Sequence, residues 1–158
     1  MRIAITAAVL LLAAPAASSA QGTPDFSGTW VLQVDQTKFD SLAGPGPQNR
    51  TDVIEHKEPS LTIKRTILGP AGETVTNLTF VVDGKPHKNM AGSAEITSVL
   101  KWEGATLVIE STSPDPQGGV FVITDRMSLS PDGRTLTQVR VLRAQGQEAS
   151  QTFVLQKP

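Results

Sequence analysis

The chain has no cysteine, and only two histidines and two tryptophans in 158 residues. Without cysteine there can be no disulfide, no lipid anchor on a cleavage-site thiol and no thiolate metal site. Core packing and hydrogen bonds must then hold the fold. Charge of either sign is nearly balanced, 14 Lys and Arg against 15 Asp and Glu, so there is no electrostatic case for nucleic acid or an anionic membrane surface. The one long apolar run, Ile3 to Ala14, falls short of the ~20 residues that span a bilayer, so the chain is not expected to span a membrane. No HExxH zinc site, phosphate loop, calcium loop or nucleophile motif is present. No enzyme, cofactor or metal is therefore expected, and the remaining enzymatic alternative is a hydrolase or isomerase working through interior Asp and His.

The opening "MRIAITAAVLLLAAPAASSA" has the layout of a Sec signal peptide: Arg2, then an apolar stretch, then small residues at Ser18-Ser19-Ala20. Residues 1–20 are expected to be a leader, and residues 21–158 a single domain of ordinary size. Loss of Arg2 would move the net charge from −1 to −2. The expected location is the bacterial periplasm or the medium.

What is present is a series of short runs rich in Val, Ile, Thr and Leu, with no long 3.6-residue period. Turn-forming pieces separate them: "EPS" at 58–60, "GPAG" at 69–72, "DGKP" at 83–86, "WEGA" at 102–105, "PDPQGG" at 114–119, "SPDG" at 130–133 and "AQGQ" at 144–147. Strands are predicted near 27–35, 50–57, 60–68, 73–83, 95–102, 105–113, 119–129, 134–143 and 148–157. Hairpin-sized connections throughout predict an all-β, antiparallel up-and-down barrel of eight to ten strands. A β-sandwich is the alternative.

Turn length sets which side chains share a face. A two-residue turn at Glu58-Pro59 puts His56 opposite Leu61, Ile54 opposite Ile63 and Asp52 opposite Arg65. A four-residue turn over 69–72 pairs Leu61 with Phe80, Ile63 with Leu78 and Arg65 with Thr76. A turn at Glu103-Gly104 sets Leu100 against Leu107, with Trp102 on the same face. The "SPDG" loop pairs Met127 with Leu136 and Asp125 with Gln138, leaving Arg140 on a diagonal from Asp125. The inward face is thus mostly apolar but carries Asp52, His56, Arg65, Asp125, Gln138 and Arg140. Charges on an inner face require partners or a hydrated cavity.

"FSGTWVLQV", with Gly28 and Trp30, resembles the first strand of the calycin group of barrels, which includes lipocalins and fatty-acid-binding proteins. "IEHKEPSL", "LKWEG" and "LSPDGRTLT", in that order, resemble pieces of small secreted bacterial lipocalin-like proteins. The resemblance implies a barrel whose base is plugged by Trp30 at Gly28, with Arg140 lying across the ring. The chain departs from lipocalins in having Thr124-Asp125-Arg126 inside a strand, and from fatty-acid-binding proteins in Gly44-Pro45-Gly46-Pro47, which cannot form their helical cap.

Loops of a meander alternate between the two ends. The 36–49 segment, 69–72, 103–104 and 130–133 are accordingly expected at the mouth. There Arg65, with Asp52 and Thr76 beside it, could hold an anionic head group while Leu61, Ile63, Phe80 and Trp102 take an apolar body. An Asp52–Arg65 pair that neutralises itself is the competing reading. The expected partner is a small hydrophobic or amphipathic ligand. The alternative is a filled barrel acting as a structural or protein-interaction module of the cell envelope.

Overall fold

The structure, a computed structural model, describes residues 22–40, 46–91 and 93–158. The expected leader and Gly44-Pro45 lie outside them. Eleven strands follow in chain order: β1 Gly28–Leu32, β2 Lys38–Phe39, β3 Asn49–Lys57, β4 Ser60–Gly69, β5 Gly72–Val81, β6 Pro86–Ala91, β7 Ala94–Glu103, β8 Thr106–Pro114, β9 Val120–Leu129, β10 Thr135–Ala144 and β11 Gln147–Gln156. Among the described residues the only helical piece is a single 3₁₀ turn, Val34–Gln36. The hydrogen-bonded order is β5-β4-β3-β1-β11-β10-β9-β8-β7-β6, every pair antiparallel, with β2 added beside β11. β5 and β6 lie side by side but share no ladder, so the barrel is closed except along this seam.

The period-2 pattern of each strand explains which face turns inward. In β4, Leu61, Ile63 and Arg65 are buried while Thr62 and Lys64 face out. The registers expected for β3, β4 and β5 are all observed: Asp52 opposite Arg65, Ile54 opposite Ile63, Leu61 opposite Phe80, Arg65 opposite Thr76. Two later hairpins turn one residue further on than expected. Trp102 pairs with Leu107 and Leu100 with Ile109, because Gly104, at φ +61°, takes the first loop position that a two-residue turn reserves for glycine. Likewise Gln138 pairs with Met127 and Arg140 with Asp125. Each partner moves by two residues, so every side chain keeps its predicted face.

The larger correction is β6. Pro86–Ala91 was expected to be loop, and the structure makes it a strand paired with β7. Inserting one strand reverses the end at which every later loop emerges. The turns after β7 and β9 therefore sit beside the β3–β4 turn and the start of β1, not beside 69–72. Of the loops expected at the mouth, 69–72 and the described parts of 36–49 stay at one end, whereas 103–104 and 130–133 belong to the other.

That other end is packed shut. Phe26, Trp30, Leu61, Leu100, Leu107, Leu136 and Leu155 are each essentially inaccessible to solvent. The Trp30 indole Nε1–H donates to the Phe26 carbonyl at 2.8 Å, which satisfies its polar atom in an apolar setting. Trp30 is thus at the closed base as expected, but Arg140 does not cover it. The Lys157 ammonium lies 4.8 Å from the ring centre. Gly28, at φ +132°, leaves room for that lysine stem, since a Cβ there would stand 3.1 Å from its Cε.

Candidate functional site: a cavity beside an arginine layer

Above the apolar base the barrel interior turns polar. Asp52 on β3 faces Arg65 on β4, and Arg50 reaches it from two residues earlier on its own strand. Arg65 donates to both carboxylate oxygens at 2.9 Å. Arg50 does the same from its other side, through Nε at 3.0 Å and through a very short Nη2 contact. One carboxylate thus accepts four charge-assisted hydrogen bonds. Arg50 Nη2 also donates to Gln138 Oε1 at 2.6 Å, tying β3 to β10 across the barrel. A second pair lies nearby: Arg140 donates through Nε and Nη2 to the two oxygens of Asp125, each at 2.8 Å.

Burial works against the Asp52 carboxylate, but the Arg65 and Arg50 guanidiniums outweigh it and hold its pKa well below the usual carboxylate range. Asp125 is also held low: burial raises it, and Arg140 more than reverses that. Burial and the neighbouring Arg65 push Arg50 down to about 10, still a cation at neutral pH. For Arg140 burial is offset by Asp125, and the result is a raised pKa. Three guanidiniums therefore share two carboxylates, and the layer carries one uncompensated positive charge. The Phe153 ring accommodates part of this excess, with Arg50 4.9 Å and Arg140 5.6 Å from its centre.

Beside this layer the barrel is hollow. The cavity has a volume of about 230 Å³. Arg65, Asp125, Gln138 and Arg140 form its polar side. Ile63, Leu78 and Phe80 line it on the closed-end side of Arg65, Ile109 stands opposite Asp125, and Ile123 and Phe121 lie nearer the open end. Ser111 and Ser113 line it nearer the open end, with Ile67, Ala91 and Ile96. On that side β2 crosses β11, and Phe39 packs edge-on against Phe153 with ring centres 5.6 Å apart. Gly46 passes so close beneath the Phe39 ring that no Cβ would fit.

Of the residues expected to hold ligand, Arg65, Thr76, Phe80 and Ile63 come together in this cavity. Three do not. Leu61 is packed in the closed base, and Asp52 is sealed between two arginines with no exposed surface. Trp102 lies at the closed end, stacked on Phe26 at 5.9 Å with its indole donating to Glu58 Oε1 at 2.7 Å. The missed strand is the reason, because it carried the 103–104 turn to the wrong end. Arg140, expected in the plug, instead lines the cavity and pairs with Asp125. His56 is buried beside that Phe26–Trp102 stack, its ring nitrogens 3.4 Å from the Phe26 amide and 3.3 Å from Glu58. Among the described residues no cluster of His, Asp and Glu could hold a metal. Arg50 was overlooked, although strict alternation back from Asp52 places it on the inner face.

No protein-family model matches the chain, and no curated protein matches it. Solved structures do. The barrel superposes on a zebrafish ileal bile acid-binding protein complexed with cholic acid, with a TM-score of 0.59 and 18% identity over 84% of this chain and 98% of that one. It is similar to an abundant heat soluble (SAHS) protein of Ramazzottius varieornatus, with a TM-score of 0.63 and 16% identity over 86% and 98%. It is also similar to the apo form of Caenorhabditis elegans lipid binding protein 8, at 0.56 and 13% over 81% and 93%. The fold is a calycin-type barrel. In this chain the calycin-type barrel is filled at its tryptophan end and hollow beside its arginines, with no α-helix among the described residues.

Proposed function

We propose that the protein binds or carries a small amphipathic molecule in the hollow half of the barrel. The observation that carries this reading is the cavity itself, apolar over most of its lining and cationic along its Arg65 and Arg140 side. An apolar site of about 150 Å³ already takes benzene, whereas drug-sized ligands occupy roughly 300 Å³ or more. About 230 Å³ suits a ligand between those sizes. Its apolar body replaces water against Phe80, Leu78 and Ile123, at ~25 cal/mol for each Å² removed. An anionic group completes the charge balance of the arginine layer, with Arg65 and Arg140 as its donors. Similar barrels named for lipid and bile acid binding support an apolar ligand. No bond is made or broken in this function. The composition of residues 1–20 supports export through the Sec route to the periplasm or beyond.

The test is native mass spectrometry of the protein isolated from its own host, with extraction of any co-purified small molecule, alongside titration with a hydrophobic fluorescent probe. Retention of an anionic amphiphile is expected. Arg65→Ala should weaken an anionic probe by about tenfold or more and a neutral one far less. An empty protein that also ignores the probe would overturn the reading.

A further inference from the structure

The cavity is polar at two levels, and the upper one says what the far end of the ligand must be. Ser98 and Ser111 face each other on β7 and β8, with their hydroxyl oxygens 2.9 Å apart. Ser98 is fully buried and has no other partner among the described residues. A buried hydroxyl proton needs an acceptor, so Ser98 donates and Ser111 accepts. The Ser111 proton is thereby left to point elsewhere, and Ser111 lines the cavity. Ser113, two residues on along the same inner face, also lines it, and its hydroxyl bonds nothing among the described residues.

Asp125, which fixes Arg140, stands opposite Ile109 on β8. With ~3.4 Å of rise per residue, Ser111 and Ser113 lie about 7 and 14 Å further toward the open end. Ile109, Ile123 and Phe121 supply the apolar surface along this stretch. A ligand with a plain hydrocarbon tail would strip water from these hydroxyls and return nothing. A site with hydrogen-bonding groups discriminates strongly against ligands that leave them unpaired.

Building on the carrier reading above, we infer that the ligand is polar at both ends. It has an acid group beside Arg65 and Arg140, a short apolar middle along Ile109 and Ile123, and a hydroxyl or other acceptor that takes the free proton of Ser111 and bonds Ser113. The class is a short hydroxylated or keto acid, not a simple fatty acid.

The test uses octanoate, its ω-hydroxy derivative and 1-octanol, titrated calorimetrically into the full chain. The ω-hydroxy acid should bind about tenfold more tightly than octanoate, and octanol most weakly. Ser111→Ala should remove that advantage by bringing octanoate up toward the ω-hydroxy acid, because its tail no longer strands the hydroxyl. Because this change strands the Ser98 hydroxyl, Ser113→Ala is the second variant; it disturbs no bond and should cut the advantage alone. Equal affinity for the two acids, or an advantage that survives both substitutions, overturns the inference while leaving the carrier reading intact. If none of the three probes binds, the carrier reading falls, and this inference with it.

Discussion

Asp52 is the residue on which the interior turns. Removing one partner from a buried ionic group typically costs about 3–5 kcal/mol, because the remaining charge stays buried and unpaired. Asp52→Asn strands two guanidiniums, so a loss of that size is expected in urea unfolding. The pH dependence follows from the depressed pKa. Above the ordinary carboxylate value of 3.8 the side chain is ionised in both states, and the folded protein keeps the full benefit. As pH falls below 3.8 the unfolded chain binds the proton first, and stability drops until the folded carboxyl protonates as well. Between neutral pH and pH 2 the wild type should therefore lose more stability than Asp52→Asn does. Equal losses would show that Asp52 is not held low. At the closed end, Lys157→Ala should cost under ~1 kcal/mol, the range of an exposed cation–π contact. Arg140→Ala should leave the Trp30 fluorescence maximum unchanged, since Asp125 and Phe153, not Trp30, are the partners of Arg140. A shift on Arg140→Ala would restore it to the plug.

At the level of strands, the legible part of the sequence was the part whose turns are unambiguous. Glu58-Pro59 and the four residues 69–72 set β3, β4 and β5 to the residue, and so placed Arg65 opposite both Asp52 and Thr76. β6 was hidden because Pro86-His87-Lys88-Asn89-Met90-Ala91 has neither β-branched residues nor alternation. It is a strand because β7 pairs with it, not through its own propensity. The error was topological, since one unseen strand inverted the ends of all that followed and drew Trp102 into the site. The same weak strand leaves the seam. β5 and β6 run alongside without a ladder. Backbone amides of β5 that point away from β4 have no strand to bond. They are expected to exchange with solvent deuterium orders of magnitude faster than those of β3 and β4, which are paired on both sides. Uniform protection across β3, β4 and β5 would mean that the seam is zipped in solution.

Taken whole, the barrel divides stability and binding between its two ends. The tryptophan end holds the close-packed core, and the open end holds a cavity that packing left unfilled. The arginine layer runs along the cavity at mid-height, and Ile63 and Phe80 of the buried core line the cavity on its closed-end side. Substitutions should therefore sort by height in the barrel. Leu107, fully buried in the base, should cost about 2–5 kcal/mol as Leu107→Ala, the usual range for emptying a packed site. The folded fraction should still bind a hydrophobic probe. Ile123 points into the cavity, and Ile123→Trp fills empty space instead of crowding a packed core, so the overpacking penalty of ~1–3 kcal/mol should not arise. Its stability should match or exceed that of the wild type while probe binding is lost. Urea unfolding and probe titration on these two variants give opposite patterns if the ends are independent. Parallel losses in both would mean that the hollow half is part of what holds the barrel together.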